Sequence, residues 1–412
     1  MTLNLYAAVV LAALACDYLL NGVADLLNLR AMGAAPAPLA DLYDPATYDR
    51  SRSYTRARAR FGLFAATFDL AVLLAFWGIG GFAHLDRAVR AFGRGEVVTG
   101  LIYIGTLAAG LGFLGLPFRY HATFGIEERF GFNRTDRRTF WLDHAKGAAL
   151  AVAVGGPLLA LVLYLFHRLG PGAWLYGWLA ITAVLLAVQY VAPAWLMPLF
   201  FRFTPLGEGG LRDAILGLAR RVGFPVQGIY LIDGSRRSTK ANAFFTGLGR
   251  NKRIALFDTL VDAQEVDEVV AVVAHEIGHY RRRHVLYGTM LSIAHTGLLF
   301  GLLALCLDRP ALYAAFGVEA MSVHAGLVFF SLLYTPVEMV LSLGLHAVSR
   351  RNEYQADRFA VTATGDWRPL AASLKRLSRD HLANLTPHPL YVALHYSHPT
   401  LLRRLEAMQE SG

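Results

Sequence analysis

His275 and His279 stand four residues apart around Glu276 in the string His275-Glu276-Ile277-Gly278-His279, inside a run, 266–280, whose apolar spacing predicts a helix. At 3.6 residues per turn the two imidazoles share one face, a turn apart. They can grip one zinc ion while Glu276 projects beside them as a general base. These residue types in this spacing point to metal-assisted hydrolysis of a peptide bond. A catalytic zinc takes three protein ligands and leaves its fourth position for water, so a third ligand must come from another element.

The segment Ser349 to Asp357 continues a hydrophobic helix and sets Glu353 and Asp357 four residues apart, on one helical face. Glu353 is read as the third zinc ligand. Asp357, one turn further on, is placed to accept a hydrogen bond from the non-ligating nitrogen of His275, which would fix that ring's tautomer. The competing reading pairs both carboxylates with Arg350, Arg351 or Arg358 on a solvated face.

The elements that must position these residues are membrane helices. Residues are 55% hydrophobic and only 17% charged, mean hydropathy is +0.40, and the apolar stretches are long enough to span a bilayer. Seven spans are expected, near 3–22, 61–83, 97–117, 147–168, 174–200, 286–307 and 324–348. The segment Leu169 to Ala173 between the fourth and fifth reads either as a tight turn or as a break within one re-entrant element. No Lys or Arg precedes the first span, so it is read as an uncleaved helix rather than a secretory signal. The organisation is then a membrane region (1–200, spans one to five), a loop domain carrying the H-E-x-x-H helix (201–285), spans six and seven (286–348), and a C-terminal segment completing the zinc site (349–412).

Arg50, Arg52, Arg56, Arg58 and Arg60 crowd the first loop, and Arg129, Arg134, Arg137 and Arg138 the third, whereas the intervening loops are poor in basic residues. By the positive-inside rule the first, third and fifth loops are cytoplasmic, which brings the H-E-x-x-H helix and Glu353 to the same side. The net charge of +9 is explained by anionic lipid headgroups beside the spans, so the bilayer is a partner and nucleic acid is not expected. Cys16 and Cys306 fall in predicted spans and suggest neither a disulfide nor a zinc knuckle. Asp17, Asp69, His295, His324 and Glu338 lie at membrane depth, where an ionisable group faces a bundle interior or a wet cavity.

The fifth loop reads as a compact insert with a helix near 209–222, a strand near 228–233 and a β-hairpin formed by 241–246 and 253–257. The first hairpin strand, with Asn242, Ala243 and Phe244, could pair as an edge strand with an extended substrate, or it could be purely structural.

Several of these strings together resemble the type I integral-membrane zinc CAAX prenyl proteases. They are His275 to His279, Arg351 to Asp357, Asn242 to Phe245, Leu256 to Leu260, Tyr396 to Pro399 and, in the N-terminal half, Leu116 to Phe124 and Ile126 to Asn133. The resemblance covers nearly the whole chain. It implies a mainly α-helical polytopic membrane protein, with seven long helices forming a barrel around a water-filled chamber and the zinc-metallopeptidase site at its cytoplasmic end. It also implies endoproteolytic removal of the last three residues after a prenylated cysteine, and it brings His398 near the metal as an oxyanion donor. Without the resemblance His398 is an ordinary helix-start residue before Pro399, and Arg403 is structural. The Ala- and Arg-rich composition is read as bacterial, placing the chain in the inner membrane with an endoplasmic reticulum membrane as the alternative. Bacteria generally lack prenylated proteins, which leaves another membrane-associated peptide open as the substrate. Two rival readings are a quality-control protease for membrane proteins and a metal-binding seven-helix transporter or receptor.

Overall fold

The computed structural model describes residues 3–33, 39, 42–246 and 252–410. The side chains of Asn4 and Asp44 accept from the backbone N–H groups of Ala7 and Thr47, capping α1 (Leu5–Arg30) and α2 (Pro45–Gly78). An amphipathic α3 (Gly81–Arg90) leads into α4 (Glu96–His121), which carries Pro117 and widens into a π-helical stretch at Ala122–Glu127. Then α5 (Arg137–Leu150) and α6 (Gly156–Leu169) join through a second π-helical stretch, Ala151–Gly155, to make one span. The 3-10 turn Gly170–Gly172 separates it from α7 (Ala173–Val191), so the fourth and fifth spans are two helices joined by a tight turn.

The soluble insert holds β1 (Phe203–Pro205), α8 (Gly210–Arg221), β2 (Val226–Ile232), β3 (Ala243–Thr246), β4 (Lys252–Phe257), α9 (Asp258–Ala263) and α10 (Val266–Arg281). The chain returns to the membrane in α11 (His284–Leu307), a short α12 (Pro310–Ala315), α13 (Val323–Leu333) and α14 (Thr335–Thr364). It ends in α15 (Arg368–Asp380), α16 (Pro389–His395) and α17 (Leu401–Gln409).

Among the described residues, six spans are long and apolar enough to cross a membrane, and α13 with α14, bent by 54°, makes a seventh. The second span departs from its expected limits. Its helix starts at Pro45 and ends at Gly78, because the Arg-rich stretch before residue 61 is helical without being apolar, and residues 81–83 belong to α3. At most 22% of the apolar window of any of the six helices is buried. A solid bundle would bury a broad stripe of each helix; these helices instead expose both faces, one to lipid and one to a hollow interior. The expected wet residues divide accordingly. His295 Nε2 lies 3.1 Å from Glu338 Oε2 in a partly exposed contact, whereas His324 is locked in a closed network with Asp86 Oδ1 (2.8 Å) and Ser322.

The strands form one mixed sheet in the order β1-β2-β4-β3 rather than an isolated hairpin. β4 pairs antiparallel with β3, in the register Ala243 to Leu256, and parallel with β2. That leaves β3 at the edge. The sheet, α8, α10, α14, α15 and α17 enclose one apolar core, with Ile215, Leu256, Val273 and Ile277 at its centre. This core sits at the end of the spans where α1 finishes, while Trp77, Phe82, Phe316 and Phe329 pack the other end.

Candidate metal centre

The helix α10 starts with a capping box in which Glu265 and Glu268 satisfy each other's backbone N–H groups, and Glu268 is further held by Arg376 at 3.1 Å. Its apolar residues Val269, Ala271, Val273, Ala274 and Ile277 are buried in the core, fixing the rotation that turns His275 and His279 towards α14. Gly278 lets the two backbones touch. A Cβ there would lie 2.9 Å from Ala356 Cα and 3.0 Å from the Ala356 carbonyl oxygen.

Across this contact α14 presents Glu353. His275 Nε2 and His279 Nε2 are 3.2 Å apart, Glu353 Oε1 is 3.2 Å from His279 Nε2, and Glu353 Oε2 is 3.4 Å from His275 Nε2. Zinc bound tetrahedrally to nitrogen and oxygen at its usual bond lengths would set neighbouring ligand atoms about 3.3–3.5 Å apart, so the three residues fit a metal. Glu353 is only 4% exposed and its Oε2 is buried without a hydrogen-bond partner, an acceptor available to a cation. Among the described residues these three make the one group of His, Cys, Asp or Glu side chains close enough to share an ion.

Asp357, 1% exposed, accepts from His275 Nδ1 at 2.8 Å through Oδ1. Burial of both carboxylates removes the solvated-face reading, and their expected partners Arg350, Arg351 and Arg358 are not the ones used. Arg404 is. Its Nε and Nη2 donate to Asp357 Oδ2 and Oδ1 at 2.8 and 2.6 Å, and its Nη1 lies 3.5 Å from Glu353 Oε2. Burial works against the Arg404 charge, but the facing Asp357 and Glu353 carboxylates raise its pKa above the ordinary arginine value. Beside the histidines, burial pushes the Glu276 carboxyl above its usual range against the pull of His275 and His279.

The family model for peptidase family M48 matches residues 205–411, and that for the CAAX prenyl protease N-terminal region, with five membrane helices, matches residues 25–202. The chain belongs to peptidase family M48. It is 35% identical over 399 residues to CAAX prenyl protease 1 of Saccharomyces cerevisiae, covering 90% of this chain and 88% of that protein. The CAAX prenyl protease 1 homolog of Homo sapiens is 31% identical, with 91% and 88% covered. The crystal structure of S. mikatae Ste24p matches with a TM-score of 0.92 at 33% identity, covering 99% of this chain and 100% of that one. This M48 peptidase is therefore a membrane metalloprotease acting on peptide or protein substrates.

The M48 site contains residues that sequence reasoning passed over. His284, the first residue of the sixth span, faces the second histidine: its Nδ1 lies 3.1 Å from His279 Nδ1, and its Nε2 lies 3.1 Å from Gln355 Oε1. If His279 uses Nε2 as a ligand, its Nδ1–H donates to His284, and the amide oxygen of Gln355 fixes the proton of His284 on Nε2. The two histidines thus have unlike supports, a charged Asp357–Arg404 pair for His275 and a neutral His284–Gln355 pair for His279. His398 stands at the mouth with its side chain 62% exposed and Nε2 3.4 Å from Glu353 Oε1, while Arg403, beside the buried Arg404, pairs with Glu406 near solvent. β3 runs beside α10, and Asn242, Ala243 and Phe244 lie on or next to that edge strand.

Proposed function

We propose that this chain is a zinc endopeptidase that cleaves C-terminal CAAX-type prenylated peptides at the cytoplasmic face of its membrane, with His275, His279 and Glu353 holding the metal. The observation that carries the reading is the convergence of His275 Nε2, His279 Nε2 and the two Glu353 carboxylate oxygens at 3.2–3.4 Å, with Glu276 next to His275 in the same helix. Its membrane setting and its similarity to proteins named CAAX prenyl protease 1 support the choice of substrate. When bound, zinc lowers the pKa of a water towards neutrality and polarises the scissile carbonyl. Glu276 takes the proton of that water. The same carboxyl then returns the proton to the leaving amine. His398, at the mouth, donates a hydrogen bond to the oxygen on which negative charge develops. The free edge of β3 aligns the peptide through the outward backbone groups of Ala243, while the flanking Asn242 and Phe244 turn their backbone groups to β4; such pairing is indifferent to side-chain identity.

The test is cleavage by the purified protein of a farnesylated C-a-a-X peptide and of an unprenylated membrane peptide, each with and without a chelator. Cleavage of the farnesylated peptide after its cysteine is expected, abolished by the chelator. The variant Glu276→Gln should keep the metal and lose at least about 100-fold in turnover. Cleavage of the unprenylated peptide alone would favour a general membrane-protein protease, and no cleavage of either would refute the reading.

A further inference from the structure

We infer that Lys240, clamped between Tyr54 and Glu127, is a positioning residue that fixes the register of the peptide on β3 relative to the membrane interior. The inference rests on the reading of β3 as the substrate-binding edge. The residues leading into that strand, 237–241, are fastened at every position to elements outside the sheet. Arg237 makes a two-pronged ion pair with Asp143 of α5, at 2.9 and 3.1 Å, and its carbonyl accepts from Arg134 N at 3.0 Å. Ser238 forms a bridge with Asn133, and Thr239 N donates to the Phe132 carbonyl at 3.1 Å. Ala241 N donates to His381 Nε2 at 3.0 Å.

Lys240 is the centre of this joint. Its ammonium donates to Glu127 Oε2 at 2.8 Å and to the Tyr54 hydroxyl at 2.9 Å, while that hydroxyl donates to Glu127 Oε1 at 2.5 Å. The triangle is closed, with each carboxylate oxygen assigned a different donor. The ammonium also lies 4.5 Å from the centre of the Phe132 ring. Tyr54 is on the Arg-rich extension of the second helix and Glu127 at the last turn of the third span, so Lys240 joins the peptide-binding strand directly to two helices that continue into the membrane. A partly buried, fully partnered network of this kind is stiff where a surface ion pair would not be.

The strand itself cannot supply that stiffness. β3 has four residues and one neighbour, and its ladder ties it only to the sheet. A lipid-bearing substrate is held at two places, its apolar group among the spans and its backbone on β3. The joint at 237–241 sets the distance between them. A slip of one residue along an edge strand moves the scissile bond by about 3.3 Å and reverses every side chain.

The experiment compares a farnesylated peptide with its unlipidated twin, reading KM, kcat and, by mass spectrometry, the position of the cut. For Lys240→Met we expect full metal content, kcat within about twofold and KM for the farnesylated peptide raised about tenfold, with secondary cuts beside the main one. KM for the twin should change by less than about twofold, since it has no second point of attachment. Lys240→Arg should restore most of the fidelity. Tyr54→Phe, which removes a single hydroxyl, should show a smaller shift of the same kind and serves if Lys240→Met fails to fold. A single product with unchanged KM, an equal effect on both peptides, or a fall in kcat at constant KM would overturn the inference. If the wild-type protein cuts neither peptide, the functional reading falls and takes this inference with it.

Discussion

Gly278→Ala tests whether the close approach of α10 and α14 sets the metal site. The added carbon would sit 2.9 Å from Ala356 Cα and 3.2 Å from Phe359 Cβ, and the nearer obstacle is backbone, which cannot rotate aside. Non-bonded carbons settle at about 3.5–4.0 Å, so α14 must retreat by about 0.6–1 Å. Glu353 lies one turn from Ala356 and moves with it. Its gaps to His279 and His275, now 3.2 and 3.4 Å, then open towards about 4 Å, although metal–ligand bonds tolerate only about 0.2 Å. Overpacking costs about 1–3 kcal/mol, partly offset by the roughly 1 kcal/mol that alanine gains over glycine inside a helix. We expect zinc affinity to fall by about 10–100-fold, read by competition with a chromogenic chelator, together with a lower melting temperature. Gly217→Ala in α8 is the reference, because a Cβ there meets nothing within 4 Å and should stabilise by about 0.5–1 kcal/mol. If Gly278→Ala keeps wild-type zinc affinity and melts like Gly217→Ala, helix contact is not what brings Glu353 to the histidines.

Glu353→Ala should empty the site at stoichiometric zinc, since two histidines lack the usual third ligand; full occupancy by metal analysis would mean another residue ligates. Arg404→Ala leaves Asp357 charged and buried without its guanidinium, and should cost about 3–5 kcal/mol by denaturation in detergent. Arg404→Lys should recover only part of that loss, because an ammonium cannot reproduce the two-pronged contact. With Cys16 and Cys306 replaced by alanine, a cysteine at Glu208 should react with an impermeant maleimide only in opened vesicles, and one at Glu319 from outside. Labelling of both from one face would remove the topological argument for a cytoplasmic site.

The chemistry of α10 was readable because it is local: one helical turn brings His275 and His279 together whatever surrounds them. The same logic put Asp357 one turn beyond Glu353, and it does accept from His275 at 2.8 Å; its arginine partner was out of reach, because the candidates on its own helix were Arg350, Arg351 and Arg358 and the one that binds it lies 47 positions away. A signal for Arg404 existed, since Leu401, Leu405 and Met408 repeat at helical spacing and put Arg404 on their inward side and Arg403 on the other. His284 offered less, because the chain breaks helix at Arg283, with φ 57°, and periodicity across that break carries no information. Span number was legible from hydropathy, but the start of α2 was not: hydropathy measures apolarity, and Arg50 to Arg60 are helical without it. The parallel pairing of β2 with β4 needs a crossover, which no short-range pattern announces.

The helix α14 carries Glu353 at some distance from where it leaves the bend at Tyr334. At 1.5 Å per residue the lever from Thr335 to Glu353 is about 27 Å long, so pivoting by about 2° sweeps the carboxylate through about 1 Å. Such angles are within the range by which transmembrane helices adjust to bilayers of different thickness. The packing of Ala356 on Gly278, one turn beyond Glu353, pins the far end of this lever, so a tilt of the span carries α10 and α14 together and the ligands keep their spacing whatever the thickness of the bilayer.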